Sequence, residues 1–170
     1  MSDDEDYGFE YSDEEDLEDD EVTIENEYYA AKALRDDDPD AAIATFEKAA
    51  DMEAEPGEWG FKAYKAIVKL QLKRQKLTQM LEAYKKMLTY IKSAVTRNYS
   101  EKVINKILDL VSTSQQMELL QELYETTLAT LVEAKNERLW FKTNLKLGKL
   151  WFDRGEYARL TPILKELYRA

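Results

Sequence analysis

The chain of 170 residues has no cysteine and no histidine. Thiol nucleophiles, disulfides, zinc–thiolate sites, histidine metal ligands and serine–histidine relays are therefore all excluded. Carboxylates, Lys, Tyr, Ser and Thr remain, and they form no catalytic constellation. Glu118, Glu122 and Glu125 share one helical stretch with apolar residues, as solvated-face acids do. Asp109, Glu133, Glu137 and Asp153 have no partner that spacing supplies. No glycine-rich phosphate loop is present. The expectation is a protein that is not an enzyme, with no catalytic residue, no metal and no resident cofactor. The lack of disulfides fits a reducing compartment. No apolar run approaches the ~20 residues of a membrane span, and the acidic start does not read as a secretory leader.

What is present is charge, unevenly placed. Residues 1–21 hold 13 Asp/Glu and no Lys/Arg, leaving 22 acids against 24 bases in residues 22–170. The chain reads as a nearly neutral body with a strongly acidic tail. The tail, MSDDEDYGFEYSDEEDLEDDE, offers too little apolar surface to offset the entropy of ordering and is expected to be disordered. Ser2 and Ser12 precede acidic runs and fit acidophilic casein-type kinases, a pattern that serines in acidic tails also meet by chance.

With only 5 glycines and 3 prolines, the body reads as helix almost throughout, and nothing alternates with period two. The punctuation predicts helices near 24–35, 39–53, 58–75, 77–95, 100–113, 115–134, 137–154 and 156–169. Asp38-Pro39 is an N-cap with Pro at the first helical position, Pro56-Gly57 a turn, and Ser100-Glu101 a further helix start. A repeat of 38–40 residues runs through the chain. With Pro39, Leu77, Met117 and Tyr157 as equivalent starts, Phe46, Tyr84, Tyr124 and Leu164 coincide. So do Ala42, Met80, Leu120 and Leu160, and, in the preceding helices, Tyr29, Ile67, Ile107 and Leu147. The last unit, LGKLWFDRGEYARLTPILKELY, is close to a tetratricopeptide pattern. The expected fold is all-α: a right-handed superhelix of about four tetratricopeptide-like hairpins over 22–170, each covering its neighbour's apolar face. Trp59, Phe61, Tyr84, Tyr124, Trp140 and Trp151 are expected in the core or between repeats. The final amphipathic helix has no polar capping repeat after it, so the chain is expected to be the N-terminal part of a longer one.

One stretch departs from the neutral body. KAYKAIVKLQLKRQK, residues 62–76, carries six cations and no acid. At 100° per residue Lys62, Lys65, Lys69, Lys73 and Lys76 fall within about 80°, with Arg74 off the stripe. Ala63, Tyr64, Ile67 and Val68 cover the buried side. A solvated face normally mixes signs, and like-charge neighbours three or four apart cost roughly 0.2–0.5 kcal/mol each. A single Glu would remove that cost without touching the core, so the stripe reads as an anion or acidic-partner site. Nucleic acid fits poorly, because the acidic tail would repel it. Lys142, Lys146 and Lys149 form a weaker stripe, and Arg97 and Lys102 flank a turn between hairpins. For these five, ordinary solvated surface is the favoured reading.

The words GEWGFK, SAVTRNYSE and NERLWFKTN, with the acidic tail, carry a family likeness over nearly the whole chain. The chain resembles the N-terminal region of the COP-nine signalosome subunit-two family, without that family's C-terminal PCI winged-helix region. The resemblance implies a non-catalytic scaffold, found in cytoplasm and nucleus, whose repeats grip a cullin and its RING subunit beside other signalosome subunits. A different subunit, a zinc metalloprotease, then removes a ubiquitin-like modifier from the cullin. It further implies that inositol hexakisphosphate bridges basic surfaces, here Lys62, Lys65, Lys69, Lys73 and Arg74. The alternative is a free-standing tetratricopeptide-type adaptor that holds short peptides in its groove and leaves the lysines idle.

Overall fold

The computed structural model describes the backbone from Glu15 and side chains from Thr23 onward, to Ala170. Ser2 and Ser12, with the first fourteen residues of the acidic tail, lie outside the described residues. Eight helices follow: α1 Glu15–Leu34, α2 Pro39–Asp51, α3 Glu58–Lys73, α4 Leu77–Leu88, α5 Arg97–Val111, α6 Met117–Glu133, α7 Glu137–Asp153 and α8 Tyr157–Arg169. Among the described residues there is no strand and no helix long and apolar enough to cross a membrane. The all-α helical-repeat expectation holds. The second helices begin on the four residues that the repeat alignment took as starts.

The helix ends show local causes. The Asp38 side chain caps α2 by accepting from the Ala41 amide at 3.1 Å, with Pro39 at the first position. Gly155, at φ +72°, ends α7 in the left-handed conformation that glycine adopts without cost. Gln75 takes the equivalent place after α3 with φ 61°, and Lys135 does so after α6 with φ 57°. Behind each of the three, amides pair with carbonyls in the same two-bond C-cap, as in Lys76 N–H to Gln71 and Gln75 N–H to Leu72.

Three boundaries differ from those the sequence suggests. α1 starts at Glu15 and not near residue 24, so residues 15–21 of the acidic stretch are helical. Composition alone does not mark a helix start, because each added residue extends an existing helix at small cost. α4 stops at Leu88 rather than 95. There the Thr89, Tyr90 and Ile91 amides switch to i→i−3 bonds, and Tyr90 turns in against Tyr64, ring centroids 5.9 Å apart. α5 begins at Arg97 and not at Ser100, because the Thr96 hydroxyl accepts the Tyr99 amide at 3.2 Å and supplies the cap.

The core is one continuous cluster running through all the hairpins. Phe46, Tyr84 and Tyr124, the aligned aromatics, are completely buried. Tyr84 sends its hydroxyl across to Thr127 of the next hairpin at 2.7 Å, which fixes this position as the inter-repeat anchor. Phe61 and Trp151 are buried too, while Trp59 and Trp140 are half-buried. The equivalent anchor in the last hairpin, Leu164, faces solvent, as does Tyr168 one turn further on, with 93% exposure.

The hairpins are not identical. α5 and α6 approach less closely than the helices of the other three pairs. The first and second pairs bury small residues, among them Ala31, Ala42, Ala63 and Ala83, and in the fourth Gly148 of α7 faces Leu160 and Ile163 of α8. The third buries Ile104, Leu108, Leu120 and Leu123 instead. Interaxial distance follows side-chain size, so bulk explains the wider pair. Arg154 ties that region down, donating to the carbonyls of Ser112 and of Ser114 (2.6 Å) in the α5–α6 turn.

Candidate anion-binding face

α3 turns its apolar side inward as the spacing requires. Ala63, Tyr64, Ile67 and Val68 are buried. Lys62 and Lys65 are half-buried, and Lys69, Lys73 and Lys76 are exposed. The surroundings of each cation separate the stripe into parts.

Lys65 and Lys69 sit at the centre. On one side a cavity of about 350 Å³ opens between α1 and α3, lined by Lys32, Arg35, Lys65, Lys69 and Lys73 with a single acid, Asp36. On the other side a smaller cavity of about 170 Å³ lies between α3 and α5. Its rim is Lys65, Lys69, Lys102 and Lys106, and its floor is Tyr99, Val103 and Ile107. The Lys65 ammonium donates to the Tyr99 hydroxyl at 3.1 Å and stands 5.2 Å from that ring's centroid. Neither Lys65 nor Lys69 has an acid partner among the described side chains.

Burial lowers the pKa of Lys65, and the charges of Lys62 and Lys106 lower it further. Lys69 is lowered by burial first, then by Lys65, Lys106, Arg35 and Lys32. Cations from three helices thus raise one another's energy. A bound anion would relieve that repulsion, and each contact would be charge-assisted.

Lys73 lines the α1–α3 cavity, whereas the other members of the stretch are committed elsewhere. Lys62 pairs with Glu58 at 3.6 Å and lies 4.7 Å from the Trp59 ring centroid. Arg74 turns to Asp40 of α2 at 3.1 Å and to Gln71 at 3.3 Å. Lys76 caps α4 through its backbone, beyond the end of α3. Among the weaker candidates, Lys146 is held by Asp109 at 2.6 Å and Lys149 by Asp153 at 2.7 Å. Lys142 is exposed on α7, and Arg97 lines a separate small cavity at the start of α5. Only Lys102 joins the central cluster.

Lys32, Arg35 and Lys106 belong to the cluster and are not apparent from α3 alone. Their signal is the register of the repeat. Once the first helices of the hairpins are written side by side, Lys32/Arg35 and Lys102/Lys106 become cation pairs at helical spacing on the helices flanking Lys65/Lys69. The lysines of α3 thus line the grooves between the first helices.

The acids behave as ordinary surface acids. Glu118 pairs with Arg159 at 2.6 Å, Glu122 with Lys85 at 2.7 Å and Glu133 with Lys92 at 3.4 Å. No three acids come together as a metal site among the described residues.

No family model matches the chain. Curated relatives do. A Caenorhabditis elegans protein named COP9 signalosome complex subunit 2 is 60% identical over 168 residues, 98% of this chain and 34% of its own length. The chain matches an N-terminal region of COP9 signalosome subunit 2. The subunit 2 of Drosophila melanogaster is 56% identical over 99% of this chain and 38% of its own, and that of Dictyostelium discoideum 47% over 100% and 40%. The chain thus spans between a third and two-fifths of the subunit 2 proteins it matches.

Proposed function

We propose that the chain is a non-catalytic scaffold segment of a signalosome subunit, which docks an acidic or anion-bridged partner on the face formed by α1, α3 and α5. The observation that carries this reading is the convergence of Lys32, Arg35, Lys65, Lys69, Lys102 and Lys106 around two adjoining grooves with one acid between them. Such a surface is destabilising for the fold and has a physical use only when an anion covers it. The similarity to proteins named as signalosome subunit 2 supports other signalosome subunits as partners; the docked partner in this reading is the cullin and RING subunits of a cullin–RING ligase presented for removal of its ubiquitin-like modifier. Inositol hexakisphosphate fits as a bridging ligand, since several ammonium groups within one to two helical turns can contact its phosphates together. Activity in cytoplasm and nucleus goes with that reading.

Capture of a purified cullin–RING complex by the immobilised chain tests it. Capture should rise when inositol hexakisphosphate is added and fall steeply with salt, because exposed charges are screened beyond ~8 Å at physiological ionic strength. Capture of chaperone C-terminal peptides with no response to the phosphate would favour the peptide-adaptor alternative.

A further inference from the structure

We propose that the chain's own acidic segment, residues 1–14, docks in the groove between α3 and α5 and competes there with outside anions. The proposal rests on the reading of that groove as an anion site, and adds an occupant within the same chain.

Charge is the first argument. The segment carries seven Asp/Glu and no base, and the groove is rimmed by Lys65, Lys69, Lys102 and Lys106 with no acid among its lining. Shape is the second. At about 170 Å³ the groove is smaller than the ~300–1,000 Å³ of typical small-molecule pockets, and its floor is apolar. It suits a side chain delivered by a peptide better than a whole polar ligand. The segment holds Tyr7, Phe9 and Tyr11 at every second residue, an alternation that would put three rings on one side of an extended strand. An acidic strand with aromatic residues matches an apolar floor with a cationic rim. The larger cavity between α1 and α3 has a more polar lining that includes Asp36, and it matches such a strand less well.

Reach is the third argument. Fourteen residues extend to about 46–50 Å. In the repeat register Tyr29 of α1 is level with Ile67 of α3, fourteen residues or about 21 Å along the axis from Glu15. Crossing two helix spacings of ~8–10 Å adds about 20 Å. The groove therefore lies roughly 30 Å from the point of attachment. A tether of this length gives an effective concentration of order millimolar, so even a weak contact is substantially formed.

The absence of cysteine makes the test clean, because Ser2→Cys introduces one thiol for a nitroxide label in the full chain. At low salt the label should selectively broaden the amide signals of Lys65–Lys69 and Tyr99–Ile107. The broadening should vanish when the seven acids of residues 1–14 are changed to their amides, and that variant should bind inositol hexakisphosphate about two- to tenfold more tightly. Absent or uniform broadening would overturn the proposal, and so would broadening that survives neutralisation or an unchanged phosphate affinity. Broadening seen only when labelled chain is mixed with unlabelled, isotope-enriched chain would assign the contact to a second copy and equally overturn it. Selective broadening in a chain that binds no inositol hexakisphosphate, with or without the acids, would leave the tail contact standing and remove the phosphate from the proposed function.

Discussion

At the anchor position shared by Phe46, Tyr84 and Tyr124, burial is complete but the chemistry differs. Phe46 needs no partner. The buried Tyr84 hydroxyl finds Thr127 at 2.7 Å, and Tyr124 finds Ser112 at 3.0 Å. Tyr124→Ala removes a large, completely buried ring and should destabilise the chain by ~3–5 kcal/mol. Tyr84→Phe leaves the ring in place, and Thr127 keeps its bond to the Leu123 carbonyl, so the loss should be only ~1 kcal/mol. Denaturant titration of the two variants checks the order. Gly60 is a different constraint: a Cβ there would meet the Tyr90 ring at 2.6 Å and the Glu53 carboxylate. Gly60→Ala should cost ~1–2 kcal/mol despite the better helix propensity of Ala. Gly148→Ala, with ordinary contacts of 3.5 Å and more, should cost nothing measurable. The aromatic anchors were legible in the sequence because the repeat aligned them. The Gly60 contact was not, because Tyr90 stands thirty residues away in a stretch that resembled continuing helix.

At the scale of one helix, α3 shows what periodicity can and cannot reveal. The inward face and outward lysines follow directly from 3.6 residues per turn. The depth of each lysine does not, and neither do its neighbours on α1 and α5, because those depend on how hairpins stack. Lys65 and Lys69 both have lowered pKa values, so in the folded chain they release protons at lower pH than when unfolded. Where the unfolded state binds more protons, stability rises with pH. Stability should therefore climb as pH rises through the lowered lysine values toward their ordinary value of 10.5. Above pH 10 the opposite trend takes over. Burial pushes Tyr28, and likewise Tyr90, up to about 12, and stability is lost as unfolded tyrosines ionise first. In Lys65→Met plus Lys69→Met the alkaline climb should disappear and the loss above pH 10 should remain, which urea titrations between pH 7 and 11 will show. A climb undiminished in the double variant would assign it to other groups.

On the scale of the whole molecule, charge is segregated. Acids fill the N-terminal stretch, ion pairs such as Lys85–Glu122 and Arg159–Glu118 link successive second helices, and cations without an acid partner among the described side chains gather where α1, α3 and α5 face one another. Composition exposed the first part, since no base interrupts residues 1–21. The last part is not apparent from any one helix, because its cations are spread over more than seventy residues; the repeat register hints at it, and stacking brings the cations together. The claim that this gathering is an anion site is tested most directly by calorimetric titration of inositol hexakisphosphate into the intact chain and two charge-matched variants. Lys65→Glu plus Lys69→Glu removes the two central ammonium groups, each charge-assisted contact being worth ~1.5–3 kcal/mol. Affinity should fall at least about a hundredfold, with helicity unchanged or slightly raised because like-charge repulsion is relieved. Lys142→Glu plus Lys149→Glu makes the same change in net charge on α7 and should lower affinity only slightly. Equal losses in the two variants, or unchanged affinity in the first, would contradict the account and leave α3 with a solvated face.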